Sequence, residues 1–271
     1  MVRREQQGVE TTQLPSLPAW WVEALIVAVG YLLYQAIQSV LAGSPESAID
    51  RAIWIWHLEQ NLHINPELIV NAFFADRHWI VVAAGLFYST CHFLLTPAVL
   101  VWLRFYRQDV YVPLRNTLIG TSLVALVMYW LVPLAPPRLA LPGIIDTSVQ
   151  ANIMSAASPS WPATWANQYA AMPSLHVAWA VWVALALVVA FRGSPYRQLA
   201  WVYPSMTTLV VVGTGNHFIV DAIAGAVIVF ACWAALVVIP DYLDGGDRRG
   251  LRTVRLRAGR SDVASPAPIA F

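Results

Sequence analysis

The sequence predicts an all-α, polytopic membrane protein: a six-transmembrane-helix bundle whose reactive side chains gather at the extracytoplasmic face. Three observations predict it. Of the 271 residues 58% are hydrophobic and only 11% charged, against roughly 25% charged in a soluble domain. Apolar runs recur along the chain, each bounded by polar or proline-rich connections. The arginines concentrate on alternate connections, as they do when one side of a bundle faces the cytoplasm. The same composition excludes other classes. A net charge of +1 leaves no electrostatic footprint for nucleic acid. All 16 basic residues are arginine, so chemistry that needs a lysine is ruled out. Cys91 and Cys232 lie inside apolar runs and read as packing residues, not as a disulfide framework or a metal site.

Residues 1–18 are polar and read as a disordered cytoplasmic tail. A membrane catalytic domain follows over 19–239. Its first span, 20–42, is an apolar run of 23 residues, longer than the roughly 7–15 apolar residues of a signal peptide and long enough to cross the bilayer. In 45–64, Ile49, Ala52, Ile53 and Trp56 recur at helical spacing, opposed by Asp50, Arg51 and Glu59. This predicts an amphipathic helix lying on the membrane surface. Pro66 opens a short apolar piece that runs to Phe74.

The second span, 78–103, carries Tyr88 and His92 four residues apart, hence on one face. An ionisable group inside a span is a functional candidate; the alternative is a neutral histidine bonded to a neighbouring helix. The third span is 110–134. The outer loop 135–172 begins Ala135-Pro-Pro-Arg138, and its Trp161, Trp165 and Tyr169 are expected to rest on the interface. The fourth span, 174–191, starts directly after Pro173. The fifth, 198–212, contains Pro204, which predicts a kinked, protein-packed helix. Gly213-Thr-Gly-Asn216 leads into the sixth, 217–239. Residues 240–271 carry six arginines and read as a second disordered cytoplasmic tail. With this topology thirteen arginines fall on the side of the two tails and three (Arg51, Arg77, Arg138) on the other. Basic residues mark the cytoplasm, so 45–64, the long loop and the starts of spans four and six face away from it.

His176 and His217 therefore begin two helices at one membrane face, and Arg138 follows span three at the same face. The set suits phosphoryl transfer through a covalent histidine. Asp221, at i+4 from His217, can hold one imidazole nitrogen and leave the other free to attack. His176 can protonate the departing oxygen. Arg138 can bind the phosphoryl oxygens bidentately, and Ser174 and Asn216 are placed to cap the two helices or to touch phosphate. Backbone N–H groups at the two helix starts can add dipole stabilisation. No cofactor or metal is called for.

Pro173-Ser174-Leu175-His176 and Asn216-His217-Phe-Ile-Val-Asp221 resemble the second and third signatures of the type 2 phosphatidic acid phosphatase superfamily, which read Pro-Ser-Gly-His and Ser-Arg-x5-His-x3-Asp. The longer string Ala-Ala-Met-Pro-Ser-Leu-His, the Ala-Pro-Pro-Arg turn and Tyr88-x3-His92 resemble the branch that contains inositol phosphorylceramide synthases and their bacterial relatives. The likeness runs over roughly residues 45–235. It implies a six-helix fold, His217 as nucleophile, Asp221 as its orienting partner and His176 as general acid. It implies a lipid phosphate as substrate and either water or an alcohol such as inositol as acceptor. Two departures stand out. The family's first signature begins with a lysine, which this chain lacks, and the arginine six residues before the nucleophile is Val211 here. Two readings of other classes remain beside this one. His176, His217 and Asp221 could ligate a metal in a membrane hydrolase, or His92 and the outer histidines could relay protons in a transporter.

Overall fold

The computed structural model describes residues 44–150 and 168–239, together with residues 20–23, 25, 28–30 and 32. The tails expected at 1–18 and 240–271, and Trp161 and Trp165 of the outer loop, lie outside the described residues. The described helical residues between Trp20 and Gly30 form α1. There follow α2 (Pro45–Leu62), α3 (Glu67–Ala75), α4 (His78–Tyr106), α5 (Gln108–Leu131), two single-turn helices α6 (Pro137–Ala140) and α7 (Thr147–Gln150), α8 (Leu175–Ala190), α9 (Val202–Gly213) and α10 (Ile219–Trp233). A 3₁₀ turn, Pro195–Trp201, leads into α9, and a π-helical stretch, Ala234–Val238, continues α10. Among the described residues the fold is all-helical, with one isolated β-bridge between Leu134 and Ala170.

The bundle is built around α8. Its sequence is apolar on every side, which a helix tolerates only when it is surrounded. It touches α4, α5, α9 and α10. Two tryptophans fix it to α5: Trp182 Nε1 donates to the Leu114 carbonyl at 2.8 Å and Trp179 Nε1 to Ser122 Oγ at 3.2 Å. Burying an indole this way costs no unsatisfied donor. On the other flank α10 crosses very close to the start of α8, and Gly225 makes that possible. A Cβ there would stand 2.4 Å from the Ser174 carbonyl oxygen.

Among the described residues three helices are long and apolar enough to cross a membrane: α4, α5 and the run Ile219–Val238. They fall on the second, third and sixth expected spans. The fourth expected span is the 16-residue α8, about 24 Å long at 1.5 Å per residue. The fifth departs from its expected kink. The segment divides into the 3₁₀ turn and α9, which places Pro204 in the first turn of α9, where a missing N–H costs no helical bond.

Over the end of the bundle where α8 and α10 begin lies a cap of α2, α3, α6 and α7. Arg51 Nη1 donates to the Pro133 carbonyl at 2.9 Å, and Ala135 N to the Ala48 carbonyl at 3.1 Å, so α2 is tied to the start of the outer loop. Asn71 of α3 clasps two segments at once, bonding both backbone groups of Ile145 and the carbonyl of Gly213. One expectation fails here. The periodicity of 45–64 put Glu59 on the polar side, yet the buried stripe of α2 is Ala48, Ala52, Ile55 and Glu59, while Ile53 is exposed. Glu59 is inside because its carboxylate has a backbone donor to satisfy, as described below.

The crossing at Gly225 gives a direct test. Gly225→Ala adds a methyl against backbone that cannot move aside, and should destabilise the protein by about 1–3 kcal/mol. Gly193→Ala, where an added Cβ meets nothing within 4 Å, is the control and should unfold like the wild type. Thermal unfolding in detergent reads both.

Candidate active site

The starts of α8 and α10 are locked to each other. Ser174 N donates to the Asp221 carbonyl at 3.0 Å, and Ser174 Oγ caps α8 by accepting from Val177 N at 3.4 Å. This places Ser174 at the N-cap of α8. The Pro173 carbonyl just before it accepts from the Tyr129 hydroxyl at 2.8 Å. His176 follows as the second residue of α8.

His217 is reached differently from the way its spacing implied. α10 begins at Ile219, so His217 precedes the helix in a turn. Gly215 makes that turn with φ of +70°, a region that favours glycine. The N–H groups of Asn216 and His217 both donate to the Val211 carbonyl. The residue in the place of the family's arginine therefore anchors the turn through its backbone, with its side chain buried beside the site. The turn swings His217 back toward the helix. Its Nδ1 stands 3.4 Å from Asp221 Oδ2, within ion-pair reach but outside hydrogen-bonding geometry. Catalytic contacts of this kind are often long before substrate is bound. Asp221 Oδ2 is itself held by the Phe218 N–H at 3.0 Å.

Around these residues rings are packed face to edge. The His176 ring lies 5.9 Å from that of His217, centre to centre. Tyr88 stacks on His176 at 4.1 Å and His92 meets it edge-on at 4.3 Å. Three histidines from α4, α8 and the turn before α10 thus form one contiguous group. Beside it is a cavity of about 10 Å³, the room one water needs, lined by Tyr88, Cys91, His92, His176, Tyr203 and Val211 among others. Both cysteines are free thiols, as their places in apolar runs implied.

Arg138 is engaged with protein groups. Nη1 donates to Asn216 Oδ1 at 2.7 Å, Nε to Asp146 Oδ2 at 3.2 Å, and its backbone N–H to the Gly215 carbonyl at 3.0 Å. It braces the turn that carries His217. Asn216 is accordingly no helix cap: its Oδ1 takes the arginine and its Nδ2 donates to Thr214 Oγ1 at 2.8 Å. The N–H groups at the start of α10 are not open to phosphate either. Ile219 N donates to Glu67 Oε1 at 3.0 Å and Val220 N to Glu59 Oε1 at 2.8 Å. Burial pushes the Glu59 carboxyl up to about 9, against the Val220 N–H and with the charges of Glu67 and Asp221. Burial raises Glu67 as well.

His176, His217 and Asp221 come together, and Arg138 and Asn216 brace the same turn. The arrangement can hold an imidazole by one nitrogen, present a second imidazole nearby, and exclude bulk water. Among the described residues no group of three His, Cys, Asp or Glu side chains is arranged to hold a metal ion. Asp146, Glu59 and Glu67 were missing from the sequence-derived site. Asp146 follows no motif, Glu59 sits in a segment that reads as a surface helix, and Glu67 is a lone acid at the start of a short apolar piece. His92 was visible as an ionisable residue in a span, and its contact with His176 supplies the context the sequence lacked.

Replacing Arg138 by alanine withdraws one guanidinium from Asp146 and Asn216 together. At about 1.5–3 kcal/mol for hydrogen bonds to a charged group, Arg138→Ala should lower thermal stability measurably. Arg138→Lys, which cannot span both acceptors as a planar fork, should recover only part of the loss.

A family model described as the PAP2 superfamily matches residues 53–235. Neither the curated proteins nor the solved structures contain a match to the chain. The matched region holds α4, α5, α8, α9 and α10, most of α2, and each of His176, His217 and Asp221, so this helical chain belongs to the PAP2 superfamily.

Proposed function

We propose that the protein is an integral-membrane lipid-phosphate phosphatase or phosphotransferase that works through a phosphohistidine on His217. The observation that carries this reading is the approach of His217 Nδ1 to Asp221 Oδ2 at 3.4 Å with the His176 ring 5.9 Å away. Membership of a superfamily of phosphatases and phosphotransferases supports it.

In the first step Asp221 accepts from Nδ1 of His217, which fixes the tautomer and leaves Nε2 with its lone pair. Nε2 attacks phosphorus, the bond from phosphorus to the leaving oxygen breaks, and His176 delivers a proton to that oxygen. In the second step His176 takes a proton from the acceptor hydroxyl, whose oxygen attacks phosphorus and releases His217. Water as acceptor gives hydrolysis; an alcohol such as inositol gives transfer, the outcome favoured by the likeness to inositol phosphorylceramide synthases. Arg138 contributes positive charge beside the turn, and neither family cation is present to add to it. A phosphodiester or diphosphate, whose charge is more widely spread, suits such a pocket better than a phosphomonoester dianion.

The same reading sets the protein in the membrane with six spans, both termini cytoplasmic and the site facing outward. Its support is the distribution of thirteen arginines against three. A lipid would then enter sideways from the outer leaflet.

Purified protein incubated with a lipid labelled at phosphorus should form an acid-labile phosphoenzyme, and His217→Ala should abolish it. Full turnover by His217→Ala would overturn the mechanism. His176→Ala should slow turnover by roughly two to four orders of magnitude with an alkoxide leaving group, and far less with a nitrophenolate that needs no proton. Running a panel of lipid phosphates with and without inositol, and separating free phosphate from transferred product, distinguishes hydrolysis from transfer.

A further inference from the structure

Three successive N–H groups at the start of α10 end on three different carboxylates. Phe218 donates to Asp221, Ile219 to Glu67 and Val220 to Glu59. All three carboxylates are fully buried. They come from three elements, α2, α3 and α10 itself. The second oxygens of Glu59 and Glu67 face no hydrogen-bond donor, and the two carboxyls act directly on each other. The charged groups acting on this pair are each other and Asp221, which in turn faces His217.

A helix N-terminus offers about half a positive charge. Three ionised carboxylates around it leave a large uncompensated negative charge in a dry interior. Two adjacent carboxyls relieve such a conflict by sharing one proton, since like charges at that distance cannot both ionise. A metal cation is a poorer solution. The first oxygens are already committed to N–H donors, and the positive end of the helix points into the same space.

We propose that Glu59 and Glu67 share a single proton and act as a positioning dyad, clamping the start of α10 so that the His217–Asp221 pair stays in register with His176. One carboxyl is then the donor its neighbour lacks, and each keeps an oxygen for its backbone N–H. The consequence for turnover rests on the phosphohistidine reading; the shared proton does not.

The sign of the pH effect follows. Glu59 titrates near 4.5 when unfolded and at about 9 when folded. Between these values the native state binds a proton that the unfolded state does not, so stability falls as pH rises and the contribution is lost by about pH 9. The test uses the full-length protein in detergent. Wild type should show the infrared carbonyl band of a protonated carboxyl at neutral pH, and E59Q/E67Q should lose it, because an amide supplies the donor without titrating. Thermal stability of wild type should decline toward alkaline pH, and that of E59Q/E67Q should decline less. In turnover, E59Q should stay close to wild type, while E59A should lose kcat roughly ten- to hundredfold at unchanged KM, having left the Val220 N–H without its acceptor. If E59A does not fold, the comparison of wild type with E59Q/E67Q carries the test. A spectrum with no band that the double substitution removes, or parallel stability curves, would overturn the dyad, as would a chelator that destabilises wild type but not E59Q/E67Q. Normal turnover by His217→Ala alongside the expected band and pH effect would sink the phosphohistidine reading and leave the dyad standing.

Discussion

A helix that begins inside a protein exposes N–H groups with no carbonyl to receive them, and every arrangement near the site follows from how α10 solves that problem. Most helices solve it with one capping side chain and water. α10 starts under a cap of other helices, where water is excluded, so it recruits carboxylates from α2 and α3 and one of its own. The Asp221 that completes this set by bonding the Phe218 N–H is also the partner of His217. One side chain therefore joins the folding requirement of α10 to the geometry of the proposed nucleophile. The carbonyl of the same residue receives the N–H of Ser174, which brings in α8 and His176.

This construction redistributes charge. The family resemblance leads one to expect cations around the phosphate, yet the side chains that bond the N–H groups at the start of α10 are all acids, and Arg138 is already bonded to Asp146 and Asn216. The helix dipole that could have helped bind an anion is used instead to stabilise carboxylates. Binding energy for the substrate must then come from elsewhere. For the proposed lipid, contact area would come from the exposed apolar flanks of the bundle, since the ring-lined cavity between α4, α8 and α9 has room for about one water. For the substrate class proposed, recognition would then rest more on the lipid than on the phosphate.

How much of this could be read from the chain depends on the residue. His176, His217 and Asp221 were legible because short spacings carry them, and the structure does bring them together, although His217 sits in a turn and not on the helix face that the i, i+4 spacing implied. α4, α5 and α10 were legible because length and hydropathy alone define them. Glu59 was misplaced for a physical reason. Amphipathic patterning assigns a carboxylate to water, and only knowledge of a backbone donor 161 residues away reverses that assignment. Asp146 was missed on the same ground, its partner Arg138 being eight residues distant but joined through a loop of no regular period. Pro204 was read as a kink because the boundary between the 3₁₀ turn and α9 leaves no mark in composition.

The cap also bears on how a lipid could reach the histidines. α2 and α3 cover the start of α10, and Asn71 ties α3 both to the loop at Ile145 and to the turn after α9. At Gly213 the packing is tight enough that a Cβ would stand 2.6 Å from the Phe74 ring. A route straight down through the cap would have to break the bonds that position His217. Entry between helices, on the proposed function, would leave those bonds alone, and α4 presents exposed Leu86 and Phe93 near the level of Tyr88 and His92. The side of α4 that carries His92 faces His176, while its Leu86 and Phe93 are exposed. If the substrate is the proposed lipid, an approach past α4 would meet the helix whose histidine touches His176.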